Sequence, residues 1–163
     1  MIGQIDPHKE VMALLAQLSA SCKETVHLAI LRDFQVFYFD KVEGQQSISI
    51  LQPMGRQALL TVPGVGKVLL AYLKEKELDA YLQSVVLTRY TPNTICNTED
   101  LKRYFMHVKD REYATDDCEH EHDVRCVEAP LRDRKWQVIA FISLVNQTFE
   151  SFGKKLRENI FWL

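Results

Sequence analysis

Apolar positions along the chain follow two periods. At its head, Val11, Leu14, Leu15 and Leu18 recur at three- and four-residue spacing behind Asp6 as a cap and Pro7 in the first turn, which predicts a helix with one apolar face. Residues 25–31 and 36–42 are rich in β-formers. They are separated only by Arg32, Asp33, Phe34 and Gln35, a span short enough for a hairpin, and residues 47–51 read as a third strand. Pro63, Gly64, Val65, Gly66 and Lys67 break the pattern and open an apolar helix through Tyr72, followed by a second from Glu75 to Leu82. A further helix begins near Asn97 or Thr98, with Glu99 and Asp100 in its positive first turn. Residues 137–145 form the last strand, and a helix from about Phe149 closes the chain. Strands grouped as hairpins, with helices clustered between the groups, predict an α+β fold on an antiparallel sheet and argue against a doubly wound parallel one.

Composition narrows the picture. A chain of 163 residues, 47% of them hydrophobic, suits one domain over residues 1–163 with a real core and no linker or repeat. The formal net charge is -2, with lysines and arginines dispersed, so no basic footprint for a phosphate backbone exists. No apolar run approaches the roughly 20 residues that span a bilayer. The N-terminus, with Asp6, His8, Lys9 and Glu10, lacks a signal-peptide pattern, so a cytoplasmic location and no membrane partner are expected. Cys22, Cys96, Cys118 and Cys126 form no C-x-x-C pair and are expected as reduced thiols.

Candidate chemistry concentrates between Tyr113 and Pro130, in Y-A-T-D-D-C-E-H-E-H-D-V-R-C-V-E-A-P, a polar hairpin or loop leading into a strand. Along that strand Val124, Cys126 and Glu128 share one face, and Arg125, Val127 and Ala129 the other. Two readings compete. Cys118, His120 and His122, two apart on an extended segment, could converge on a metal such as zinc together with Asp116 or Asp117, although the spacing is no standard zinc pattern. Alternatively Asp116 and Cys126 point into a pocket for a small polar ligand. Asp116 could equally be a turn aspartate, Cys126 a small buried hydrophobe, and Ser143 a strand hydroxyl bonded to backbone. Gly64 and Gly66, at a helix start, let backbone N–H groups approach an anion or simply make a tight turn. His27 on a strand reads as a packed histidine. A catalytic reading, with Cys118 and Cys126 as a redox pair, lacks a neighbouring His or Lys to lower the thiol pKa, and no nucleophile triad or phosphate loop is visible. No enzyme is expected.

Five motifs in order, H-L-A-I-L (27–31), Y-F-D-K-V-E (38–43), G-V-G-K-V-L-L-A (64–71), R-Y-T-P-N-T-I (89–95) and D-D-C-E-H-E-H-D-V-R-C-V-E-A-P (116–130), resemble the effector-binding domain of the IclR family of bacterial transcription regulators. The resemblance implies a GAF-like fold, a curved antiparallel sheet flanked by helices with a ligand pocket on one face, and a small organic or aromatic acid as effector, with no cofactor. It further implies backbone amides of Gly64 and Val65 on the effector carboxylate, Asp116 and Cys126 on its polar atoms, Val124 as apolar lining and Ser143 as a hydroxyl contact. Val145 stands where some members place a second hydroxyl. Homodimers or tetramers are implied, as is DNA binding through an N-terminal winged helix-turn-helix domain, which no segment here resembles. Departures from the family pattern include Asp123 and Trp136 at positions where glycine is common; with Asp123 the turn into the strand either differs or carries a positive φ at residue 123.

Overall fold

Helix α1 (Pro7–Cys22) buries Val11, Leu15 and Leu18, spaced four and three apart, as the sequence period predicts. Strands β1 (Val26–Arg32) and β2 (Gln35–Val42) pair antiparallel, and β3 (Gln57–Leu59) adds to the outer edge of β2. The chain then forms α2 (Gly66–Ala71), α3 (Glu75–Ser84) and α4 (Thr98–Arg111) before returning to the sheet as β4 (Ala114–Asp117), β5 (Arg125–Arg132) and β6 (Val138–Val145). This computed structural model describes residues 7–32, 35–45, 57–59 and 66–145. The expected strand over 47–51 and the helix from Phe149 lie outside the described residues.

Within the described residues the sheet has six strands in the order β3-β2-β1-β6-β5-β4, each neighbouring pair antiparallel. The fold is therefore the expected α+β arrangement. Side chains alternate across it. Val26, Leu28, Val127, Ala129, Ile142 and Leu144 face α1, where Leu15 is fully buried. Ala29, Tyr38, Ala114 and Phe141 face the other way, onto Val68 and Leu70 of α2 and Leu101, Phe105 and Val108 of α4.

Local chemistry explains where α4 starts and stops. Asn97 accepts the Asp100 N–H at 2.7 Å as an N-cap, Glu99 and Asp100 occupy the first turn, and Lys109 and Arg111 the last, each sign matched to the helix dipole. The helix ends at Glu112, whose φ of 64° is left-handed without glycine. Arg111 then donates to the Tyr113 carbonyl at 2.7 Å, turning the chain into β4. The hairpin between β5 and β6 is closed by Asp133, which accepts the Lys135 and Gln137 N–H groups at 2.9 Å each. Trp136 sits there at φ 63°, in keeping with a position that favours glycine.

Candidate functional site

Register alone assembles a polar patch inside the sheet. His27 of β1 lies opposite Ser143 of β6, and Ser143 lies opposite Glu128 of β5, so the three form one row across three strands. Two residues along, Val145 is opposite Cys126, and Cys126 is opposite Asp116 of β4. The period of two places all of them on the face that carries Ala29, Ala114 and Phe141, towards α2 and α4. His27, Asp116, Cys126, Glu128 and Ser143 are all buried, Glu128 completely.

From α2, the fully buried Lys67 enters the patch. Its Nζ is ion-paired with Glu119, donates to the Thr115 carbonyl and lies 4.5 Å from the centre of the Tyr104 ring. Tyr104 locks β4 to α4: its hydroxyl donates to the Thr115 carbonyl at 2.8 Å and accepts the Thr115 N–H at 2.7 Å. Arg111 donates to the same hydroxyl at 2.7 Å.

Glu119 reaches Lys67 because the loop after β4 is clamped. Asn93 donates to the Asp117 carbonyl at 2.9 Å and Thr91 to the Cys118 carbonyl at 2.7 Å, while Thr94 donates to the Glu119 carbonyl. Three successive carbonyls are thus held by one T-P-N-T turn. Thr94 Oγ1 also accepts the Tyr90 and Thr91 N–H groups at 3.1 and 2.9 Å, so it organises the turn as well as the loop. Thr94→Val keeps the shape and removes these bonds together with the 3.4 Å contact to Thr91 Oγ1; a loss of about 1–3 kcal/mol is expected from the buried groups left unpaired, read from the urea midpoint. A midpoint equal to wild type would show that the clamp carries no stability.

The electrostatics of the patch follow from burial. Glu128 is pushed well above the carboxylate range by desolvation, with the Lys67 charge opposing and the Asp116 and Glu119 charges adding to it. Burial thus disfavours its charged form, and neither of its oxygens has a hydrogen-bond partner. His27 is pushed down by burial and by Lys41, which keeps it neutral; its Nδ1 is buried and partnerless too. Burial raises Asp116 and Glu119, against the pull of Lys67. Burial pulls the Lys67 ammonium down, but the Tyr104 phenol and the Glu119 and Asp116 carboxylates outweigh it and hold Lys67 above the ordinary lysine range. Burial, then the Glu128 and Asp116 charges, push the Cys126 thiol far up, the wrong direction for a redox nucleophile.

Of the residues singled out in the sequence, the structure brings Asp116, Cys126 and Ser143 together, with Val145 beside them. Asp116 also serves as a turn aspartate, accepting the Glu119 N–H at 2.8 Å. Val124 precedes β5, is half-buried, and accepts the Cys118 N–H through its carbonyl at 3.1 Å. Gly64 and Val65 lie outside the described residues; α2 is described from Gly66.

The structure does not bring the alternative metal set of Cys118, His120 and His122 together. Residues 118–123 run through bends and turns, so the two-residue spacing does not align Cys118, His120 and His122 on one face. Cys118 is buried, whereas His122 is exposed and His120 stacks on Tyr90 with ring centres 4.6 Å apart. Among the described residues no group of three or more His, Cys, Asp or Glu is placed to hold a metal. The left-handed residue of this loop is Cys118, φ 55°, and not Asp123, so of the two expectations for residue 123 it is the differing turn that the structure has.

Sequence reasoning missed Lys67, Glu119, Thr91, Thr94 and Tyr104, and it read His27 as packing. A signal existed for two buried charges: Lys67 and Glu128 each stand alone within an otherwise apolar run. A cleft of about 290 Å³ also opens beside the C-terminal end of α1, lined by Ser19, Lys23, Val42 and Gly44, away from this patch. No helix among the described residues is long and apolar enough to cross a membrane.

A family model described as "Bacterial transcriptional regulator IclR C-terminal" matches residues 1–160. The chain is similar to the HTH-type transcriptional regulator XynR of Escherichia coli K12, with 34% identity over 148 residues, 91% of this chain and 59% of XynR. The chain thus spans little more than half of that relative. The crystal structure of Thermotoga maritima IclR superposes with a TM-score of 0.82 at 33% identity, covering 96% of this chain and 65% of that one. An IclR homologue from Microbacterium hydrocarbonoxydans, crystallised with 4-hydroxybenzoate, shares the fold with a TM-score of 0.81 at 21% identity, over 91% of this chain and 62% of that one. XynR is named as a transcriptional regulator.

Proposed function

The chain belongs to the IclR family of bacterial transcriptional regulators, as their C-terminal effector-binding domain, and from that premise we propose that it binds a small organic or aromatic acid on the sheet face turned towards α2 and α4. The observation that carries the reading is the buried polar patch itself: five polar side chains on one face, with His27 Nδ1 and both Glu128 oxygens lacking partners. Buried polar groups without partners cost stability, and a ligand that supplies the bonds recovers it. The 4-hydroxybenzoate complex of the Microbacterium hydrocarbonoxydans homologue supports an acid as the class of effector.

In this reading the effector carboxylate meets the backbone amides of Gly64 and Val65 ahead of α2, and its polar end meets Asp116, Cys126 and Ser143. Val124 contributes apolar lining. The orientation follows from charge: a carboxylate avoids Asp116 and Glu119 and leaves the less charged end of the molecule for the acid-rich row. Effector occupancy then changes operator affinity through a DNA-binding domain N-terminal to these residues, within a homodimer or tetramer.

Screening small carboxylates by thermal shift tests the class. A ligand at 100 times its Kd adds about 2.7 kcal/mol to stability. Ser143→Ala is expected to reduce the response of the best ligand at nearly unchanged stability of the free protein. A panel of aliphatic and aromatic acids that leaves the melting temperature unmoved throughout contradicts the proposal.

A further inference from the structure

Glu128 has no role in the effector contacts proposed above, yet it is the most completely buried ionisable side chain of the patch besides Lys67, and both of its oxygens are unpartnered. Across the sheet, on the other side of Ser143, His27 Nδ1 is likewise buried and unpartnered. Two orphaned polar groups flanking a serine in one transverse row are not explained by folding, because each lowers stability where an apolar side chain would raise it. The cation nearest to hand, Lys67, is committed to Glu119, Thr115 and Tyr104.

We infer that Glu128 and His27, set either side of Ser143, form a hydroxyl-recognising end of the effector site, so that the ligand is a hydroxylated acid and not a plain or a dicarboxylic one. This inference rests on the effector-site reading and names the ligand class within it. A carboxyl in its acid form donates through O–H and accepts through C=O, and a hydroxyl does both, so one ligand hydroxyl satisfies both oxygens. The neutral His27 ring offers Nδ1 as donor or acceptor according to tautomer. Side chains directly opposite on neighbouring strands stand about 5 Å apart, so His27 and Glu128 bracket a span of about 10 Å, room for a hydroxylated chain or ring over Ser143. A second carboxylate at this end meets Asp116 and Glu119, whose charges act on Glu128, and is rejected.

The test uses matched acids that differ only in hydroxyl groups, 4-hydroxybenzoate with benzoate and glycerate with propanoate, titrated calorimetrically into wild type, Glu128→Gln, Glu128→Leu and His27→Phe. Wild type is expected to prefer the hydroxylated member of at least one pair by tenfold or more. Glu128→Gln, which keeps a donor and an acceptor, retains the preference; Glu128→Leu and His27→Phe bring the pair within about threefold, with urea midpoints confirming the fold. If wild type binds the plain acid as tightly as its hydroxylated partner, or Glu128→Leu keeps the preference, the inference falls while acid sensing stands. If no acid binds but erythritol stabilises wild type and not Glu128→Leu, the hydroxyl row stands and acid sensing falls. If neither acids nor erythritol bind, both fall.

Discussion

Lys67→Met is expected to destabilise the domain by about 3–5 kcal/mol at neutral pH, the cost of stripping the partner from a buried ion pair. For a domain of this size that is on the order of 10 °C in melting temperature. The reason is specific to the patch. Lys67 is fully buried, pairs with Glu119, caps the Thr115 carbonyl and rests on Tyr104, while Asp116 and Glu128 stand close enough to feel its charge. Methionine replaces the stem and none of the charge, so Glu119 and Asp116 face one another without a cation. The pH dependence has a definite sign. Burial already raises both carboxyls in the fold, and loss of Lys67 removes the pull that opposed it, raising them further. A carboxyl raised above its unfolded value gives stability that is full below that value and lost as pH rises through the folded one. The deficit of the variant therefore shrinks towards pH 5 and grows towards pH 8. Urea midpoints of both proteins across that window check it; a deficit independent of pH would mean that packing, and not charge, is what Lys67 supplies.

Glu128→Leu is expected to move stability the other way, upward by about 1–3 kcal/mol at pH 7, because an apolar side chain of similar length replaces a carboxyl with two unsatisfied oxygens. Titration adds to the gain as pH rises. Well below pH 4 the carboxyl is protonated in both folded and unfolded chains; as pH rises the unfolded chain ionises first, which draws wild type towards unfolding. Melting temperatures of the two proteins at pH 4.5 and pH 8 measure this, with the larger gap expected at pH 8. A stability gained by deleting a side chain marks that side chain as held for ligand binding, and a loss on Glu128→Leu would instead make it a structural group.

Helices and strands with long apolar periods were legible in the sequence. Val11, Leu15 and Leu18 bury as their spacing predicts, Asn97 caps α4, and Cys126 and Glu128 share the face expected of them. The segments with short or polar strands were not: β4 is four residues, two of them aspartates, and declares itself only by pairing with β5. The patch was half legible. Asp116, Cys126 and Ser143 were singled out, but Glu119 joins them only because Thr91, Asn93 and Thr94, some 25 residues earlier, hold the loop that carries it. No local period encodes such a clamp. Lys67 was read as part of a glycine-rich turn, and its buried charge is supported by Glu119 and Asp116 of a distant hairpin. Cys118, His120 and His122 stay apart for the converse reason: a two-residue spacing predicts convergence only in an extended chain, and residues 118–123 are bent.

The site itself is tested most directly by a ¹H–¹⁵N NMR titration of the chain with the most stabilising acid of the carboxylate panel. Saturable shifts are predicted at the amides of Asp116, Cys126, Glu128 and Ser143, the neighbours in the two rows of the sheet. Shifts confined to Ser19, Lys23 and Gly44 around the cleft beside α1, with the sheet rows unmoved, would contradict the account.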